Sequence, residues 1–139
     1  MTLYEAARTF LGTPFRHRGR KGHLDCAGLG KAAYQRCGVD LPDFLHYGRE
    51  PHKDDLIRYI KDALGDPVAT APVKEYQLRP DDVIVLRFHV EPHHIAILGP
   101  YPHGGLAMIH ADGHSKRVIE HRLSKDMINR ITHVFRRPV

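Results

Sequence analysis

Between Val83 and Phe135 five short segments follow one another: Val83–Phe88, His94–Leu98, Leu106–His110, Val118–Arg122 and Ile131–Phe135. Each is apolar or alternating, and glycine, proline or charged turns separate them. That pattern predicts strands of one antiparallel sheet. The first half of the chain has a different period. Thr2-Leu3-Tyr4-Glu5 has the Thr-x-x-Glu spacing of a capping box, which predicts a helix to about Leu11, stopped by Gly12-Thr13-Pro14. A loop rich in Arg, Gly and His then runs to Asp25, a good N-cap. Helical spacing resumes with Cys26, Leu29, Ala33 and Cys37 on one stripe, and Gly38 closes it. Leu41 to Pro51 reads as loop, and a third helix is expected between Asp54 and Leu64, ended by Gly65. Helices first and strands second make an α+β domain. With 139 residues there is room for one core, so a single domain over residues 1–139 is expected.

Composition narrows the function classes. Apolar residues at 42% and charged ones at 27% are a globular balance. Two cysteines cannot build a disulfide framework. No apolar run approaches the ~20 residues that span a bilayer, so no membrane insertion is expected. The opening Met1-Thr2-Leu3-Tyr4-Glu5-Ala6-Ala7-Arg8 lacks the order of a secretory signal, which implies synthesis in the cytoplasm. Lys and Arg number 21 against 16 Asp and Glu, clustered at Arg16, Arg18, Arg20 and Lys21, with Arg136 and Arg137 near the end. No nucleic-acid motif accompanies them and few aromatics interleave, so specific nucleic-acid binding is not expected. The cluster is either a solvated loop or a surface that attracts a polyanionic substrate.

Histidine is the unusual count, at twelve. Three uses are open: a metal site, a pH-sensitive surface, or catalysis built on imidazole. Metal is disfavoured. There is no His-Glu-x-x-His, and Gly113 interrupts the spacing between His110 and His114. No metal and no cofactor are expected.

Cys26 falls where a helix begins, where unpaired backbone N–H groups and the helix dipole stabilise a thiolate. The alternative is a buried core cysteine. Cys37 lies eleven residues further along the same helix, ~16 Å away, beyond disulfide reach, and reads as core. A cysteine nucleophile needs an imidazole with an orienting partner. Strand period puts His93 and His94 on opposite faces, so only one of them can meet Cys26. His94 shares its face with Ala96, whose small side chain would let the cysteine helix approach. If Leu98 pairs with Leu106 in a hairpin, His94 falls directly opposite His110. Surface roles for both histidines stay open at this point.

Four segments in order carry a resemblance. Leu11-Gly12-Thr13-Pro14-Phe15-Arg16-His17-Arg18-Gly19 with Leu24-Asp25-Cys26-Ala27-Gly28-Leu29 resembles the nucleophile region of the NlpC/P60 cysteine peptidases. Arg79-Pro80-Asp81-Asp82-Val83-Ile84-Val85-Leu86 resembles their "pGDvvlf" strand, His94-Ile95-Ala96-Ile97-Leu98 their "HvgIyl" strand, and Met108-Ile109-His110-Ala111 their "fiHa" segment. Residues 118–123 and 130–136 are similar to the phage and gene-transfer-agent branch, whose members belong to a tail.

The resemblance implies a papain-like fold, with the nucleophile helix packed on a C-terminal antiparallel sheet that carries the histidines. It implies a Cys26, His94, His110 triad that cuts stem peptides of bacterial peptidoglycan. It also implies tail-tip proteins as partners and a place in a virion or gene-transfer-agent tail. The alternative is a structural component of a tail, with the same fold and weak or no hydrolysis. Two positions depart from the family. Phe15 stands where many members have a tyrosine whose hydroxyl helps to hold the oxyanion, and Ala27 replaces a frequent serine. A lost oxyanion donor typically costs ~10²–10³ in rate. Phe15, His17, Asp25, Arg16 and Arg18 are therefore the candidates for oxyanion and substrate contacts, and Arg20 is a further cation for stem carboxylates.

Overall fold

The computed structural model describes residues 1–42, 53–88 and 94–139. Most of the loop expected at 41–51, and His93, lie outside them. Helix α1 spans Leu3–Arg8 and helix α2 spans Cys26–Arg36. Helix α3 spans Lys53–Leu64, and strand β1 is the two-residue Ala69–Thr70. Strands β2 (Val83–Leu86), β3 (His94–Pro100), β4 (Leu106–Asp112) and β5 (Arg117–Arg122) follow. A short helix α4 (Lys125–Asn129) leads into β6 (Ile131–Phe135).

The capping box at the start of α1 forms in both directions. The Glu5 amide donates to the Thr2 hydroxyl at 3.0 Å, and the Thr2 amide donates to the Glu5 carboxylate at 2.9 Å. The helix ends at Arg8, three residues before the expected Leu11. Beyond it the Thr9 hydroxyl donates to the Ala6 carbonyl, and the Gly12 amide donates to Val118 on β5 rather than back into the helix. The N-cap at Asp25 and the start of α2 at Cys26 match the sequence pattern.

All six strands lie in one antiparallel sheet, in the order β1-β6-β2-β3-β4-β5. Strands β2 to β5 form the expected meander. Strand β6 departs from it, returning through α4 to pair with the outer side of β2. The sheet is buried on both faces, which is why Val83–Leu86 and Ile95–Leu98 read as apolar runs rather than alternating strands. Val83, Val85, Ile95, Ile97 and Ile109 pack against Leu3, Tyr4, Leu29 and Tyr34 of α1 and α2. Ile84, Leu86, Ala96, Leu98 and Met108 pack against Val73, Leu78, Leu123 and Ile128. Ala96 thus faces away from the helices. The expectation that it opens room for α2 is corrected: Ile95 and Ile97 carry that contact.

Arg136 and Arg137 both make structural contacts. Arg136 grips the fully buried Asp82 with Nε at 2.7 Å and Nη2 at 2.9 Å. Arg137 donates to the Ala63 carbonyl at the end of α3, while its own carbonyl accepts the Tyr34 hydroxyl. Asp81, at φ +72°, accepts the Tyr4 amide at 2.9 Å and so anchors α1 to the start of β2.

The Tyr4 ring packs against Gly99 of β3. A β-carbon at Gly99 would sit 1.9 Å from Cδ1 of that ring, so the close approach of α1 to the sheet requires glycine there. Gly99→Ala is expected to destabilise the fold by about 1–3 kcal/mol through overpacking, read as a lower midpoint in urea denaturation. A midpoint unchanged from wild type contradicts this packing.

Candidate active site

Cys26 is the first residue of α2, half-buried beneath the loop that precedes it. That loop is fastened by Asp25, only 3% exposed. One carboxylate oxygen accepts the Gly28 amide at 2.8 Å and the Arg20 guanidinium at 2.9 Å. The other accepts the Arg18 amide at 2.9 Å. Arg20 also donates to the Gly19 carbonyl at 2.8 Å. A β-carbon on Gly28 would lie 2.2 Å from that carbonyl oxygen, so the first turn of α2 admits the loop only with glycine at 28.

The other candidate positions fall around this loop. Phe15 is half-buried against the helix-side core and forms an isolated bridge with Leu24, two residues before Cys26. Arg16 and Arg18 are exposed, and Arg16 lies 3.4 Å from the ring of His23. His17 is half-buried in the same loop. Arg20, a candidate for stem carboxylates in the sequence, is held by Asp25 instead. Cys37 lies at the far end of α2, and neither cysteine forms a disulfide. Burial pushes the Cys37 thiol up.

His94 and His110 come together, though not through the expected register. Leu98 pairs with Met108 rather than Leu106, a shift of two residues. An even shift keeps every side chain on its face, and the two histidines become diagonal rather than direct neighbours. Their rings meet edge to face with centroids 4.8 Å apart, and His94 Nε2 lies 2.6 Å from His110 Nδ1. Phe88 packs edge-on against His94 on the same buried side. Both histidines are buried, at 2% and 6% exposure. Burial first, then the neighbouring His94 and His121, push the pKa of His110 down to about 3.

His121 extends this row and the sequence reading did not single it out. Its Nε2 lies 2.8 Å from Nε2 of His110, and its Nδ1 lies 3.0 Å from the Arg122 carbonyl oxygen. The β4–β5 register that sets Met108 against His121 brings it there. Among the described residues no group of three or more His, Cys, Asp or Glu is arranged to hold a metal ion. No described helix is long and apolar enough to cross a membrane.

Helix α2 packs on β3. Ala27, next to Cys26, and Ile95, next to His94, line one cavity with Gly30, Tyr34 and Val83. The profile of the NlpC/P60 family matches residues 12–137. The chain belongs to the NlpC/P60 family. An NlpC/P60 family protein from Bacillus cereus superposes at TM-score 0.65 and 20% identity, covering 99% of this chain and 39% of that one. The NlpC/P60 domain of the peptidoglycan hydrolase SagA superposes at 0.59 and 18%, covering 97% and 96%. The peptidoglycan hydrolase RipB from Mycobacterium tuberculosis superposes at 0.61 and 18%, covering 99% and 63%. This chain therefore spans well under half of the Bacillus protein and almost two thirds of the mycobacterial one. No curated protein matches the sequence. Within the NlpC/P60 fold, the α+β architecture read from the sequence is the one observed.

The depressed pKa of His110 has a consequence for stability. Between the unfolded value of 6.5 and about 3 the unfolded chain binds a proton at this position that the folded chain does not. The contribution is complete above pH 6.5 and is lost as pH falls through that window. Replacing His110 with Asn is expected to flatten the fall of stability between pH 6.5 and 4 by up to about 1.4 kcal/mol per pH unit. Urea denaturation at a series of pH values measures it, and parallel curves for the two proteins would refute it.

Proposed function

We propose that this chain is a cysteine peptidase that cleaves the stem peptides of bacterial peptidoglycan, with Cys26, His94 and His110 as its catalytic residues. The observation that carries the reading is the buried His94–His110 contact between β3 and β4, with β3 packed on the helix that Cys26 begins. Membership of the NlpC/P60 family and the two neighbours named as peptidoglycan hydrolases support the substrate.

The chemistry follows from the placement. The N-terminus of α2 favours negative charge on Sγ of Cys26. His94 takes the thiol proton as Sγ attacks the scissile carbonyl carbon, and returns it to the leaving amine as the C–N bond breaks. The thioester left on Cys26 is opened by water, whose proton passes through His94 back to the thiolate. His110 holds the imidazole of His94 in position. The Cys26 amide supplies one oxyanion donor, and exposed Arg16 and Arg18 draw the stem carboxylates. The resemblance of residues 118–123 and 130–136 to tail-associated members supports a role in a phage-like tail tip, opening the wall as a particle enters.

Phe15 favours a second reading, a tail component of the same fold with little hydrolysis, because phenylalanine donates no hydrogen bond. Muropeptide digestion followed by mass spectrometry separates the two. Wild type is expected to release shortened stems and Cys26→Ala none; equal, null digestion by both over several pH values rejects the enzyme. Phe15→Tyr is expected to raise kcat by up to ~10²-fold by restoring a donor, and a kcat unchanged in that variant removes position 15 from the oxyanion site.

A further inference from the structure

Three imidazoles run in a row across β3, β4 and β5, and the end of the row decides the protons in the rest of it. The Arg122 carbonyl oxygen can only accept a hydrogen bond, so the Nδ1 of His121, 3.0 Å away, carries a proton and donates it. A neutral imidazole has one donor and one acceptor. Nε2 of His121 is then the acceptor, and Nε2 of His110, at 2.8 Å, is the donor to it. Nδ1 of His110 is left as an acceptor, and Nε2 of His94, at 2.6 Å, donates to it. The lone pair of His94 therefore sits on Nδ1.

With His121 neutral, the reverse arrangement fails at its last member. It would set an unprotonated Nδ1 of His121 against a carbonyl oxygen, two acceptors 3.0 Å apart. A protonated His110 would also break the row, since it would donate at both nitrogens and face the N–H of His94. Burial keeps His110 neutral.

We infer that His121, anchored by the Arg122 carbonyl, is a positioning residue that acts through His110 to hold His94 in the tautomer with its proton on Nε2 and its lone pair on Nδ1. The catalytic consequence rests on the peptidase reading above: Nδ1 is then the nitrogen that takes the Cys26 proton. The tautomer itself does not rest on it.

The test uses the full chain labelled with ¹⁵N-histidine at one neutral pH, with the His94 signals assigned from a His94→Gln variant. Wild type is expected to show His94 as the single tautomer protonated on Nε2. His121→Leu, which removes the acceptor for His110, is expected to show both His94 tautomers. Its kcat on muropeptides should fall on the order of tenfold or more, part of the 10²–10⁴ that a positioned base supplies, with KM unchanged. His121→Gln offers an amide oxygen to His110 and an amide N–H to the Arg122 carbonyl, and should restore the wild-type tautomer and most of kcat. A wild-type spectrum with His94 protonated on Nδ1 overturns the inference. So does a His121→Leu protein that keeps the single tautomer and full kcat. If wild type and Cys26→Ala alike fail to digest muropeptides, the peptidase reading falls, and the spectra still decide the tautomer.

Discussion

The Asp25 carboxylate takes the Gly28 amide and the Arg20 guanidinium on one oxygen and the Arg18 amide on the other, and the geometry around Cys26 follows from that. A carboxylate this deeply buried is costly unless its lone pairs are filled. Here a helix terminus, a side chain and a loop amide fill them. The loop is thereby folded back over the first turn of α2, and glycine at 28 lets the two backbones meet. Removing the carboxylate would take one acceptor from the Arg20 guanidinium and from two amides at once.

The second constraint is the sheet, whose faces are both covered. Its face away from α1 and α2 is apolar from Ile84 through Ala96 to Met108, and His94, His110 and His121 form a row across β3, β4 and β5. Burying His94 and His110 is feasible because their ring nitrogens are joined in one hydrogen-bonded row that runs through His121 to the Arg122 carbonyl.

Local signals were legible in the sequence to the extent that their physics is local. The Thr2–Glu5 capping box, the Asp25 cap and the five main strands are set by neighbours a few residues apart, and all were read correctly apart from their ends. Cys26 stood out for the same reason, since a helix start can be seen in the chain. Register and layer order were not legible. The Leu98–Met108 pairing depends on how the five residues Tyr101–Gly105 close the hairpin, and a two-residue error there leaves the hydrophobic pattern intact. The face of Ala96 was misjudged because a strand buried on both sides shows no alternation to orient it. His121 could not be found without the β4–β5 register, and the insertion of β6 beside β2 has no local signal at all.

On the proposed mechanism, the charge arrangement separates this site from a triad ended by a carboxylate. The row from His94 to the Arg122 carbonyl carries no negative charge, so it fixes the direction of a proton without attracting a second one. An imidazolium formed at His94 gains from His110 a charge–dipole contact rather than an ion pair. Arg20 and Asp25 neutralise each other beside Cys26, and therefore contribute little net potential. Stabilisation of the thiolate then falls to the N-terminus of α2 and to the exposed cations of the loop. Such a site has its base ready in the right tautomer while the thiol–thiolate balance is left to the helix terminus. The orienting row and the activating terminus are consequently separable, and substitutions in one should leave the other's signature in place.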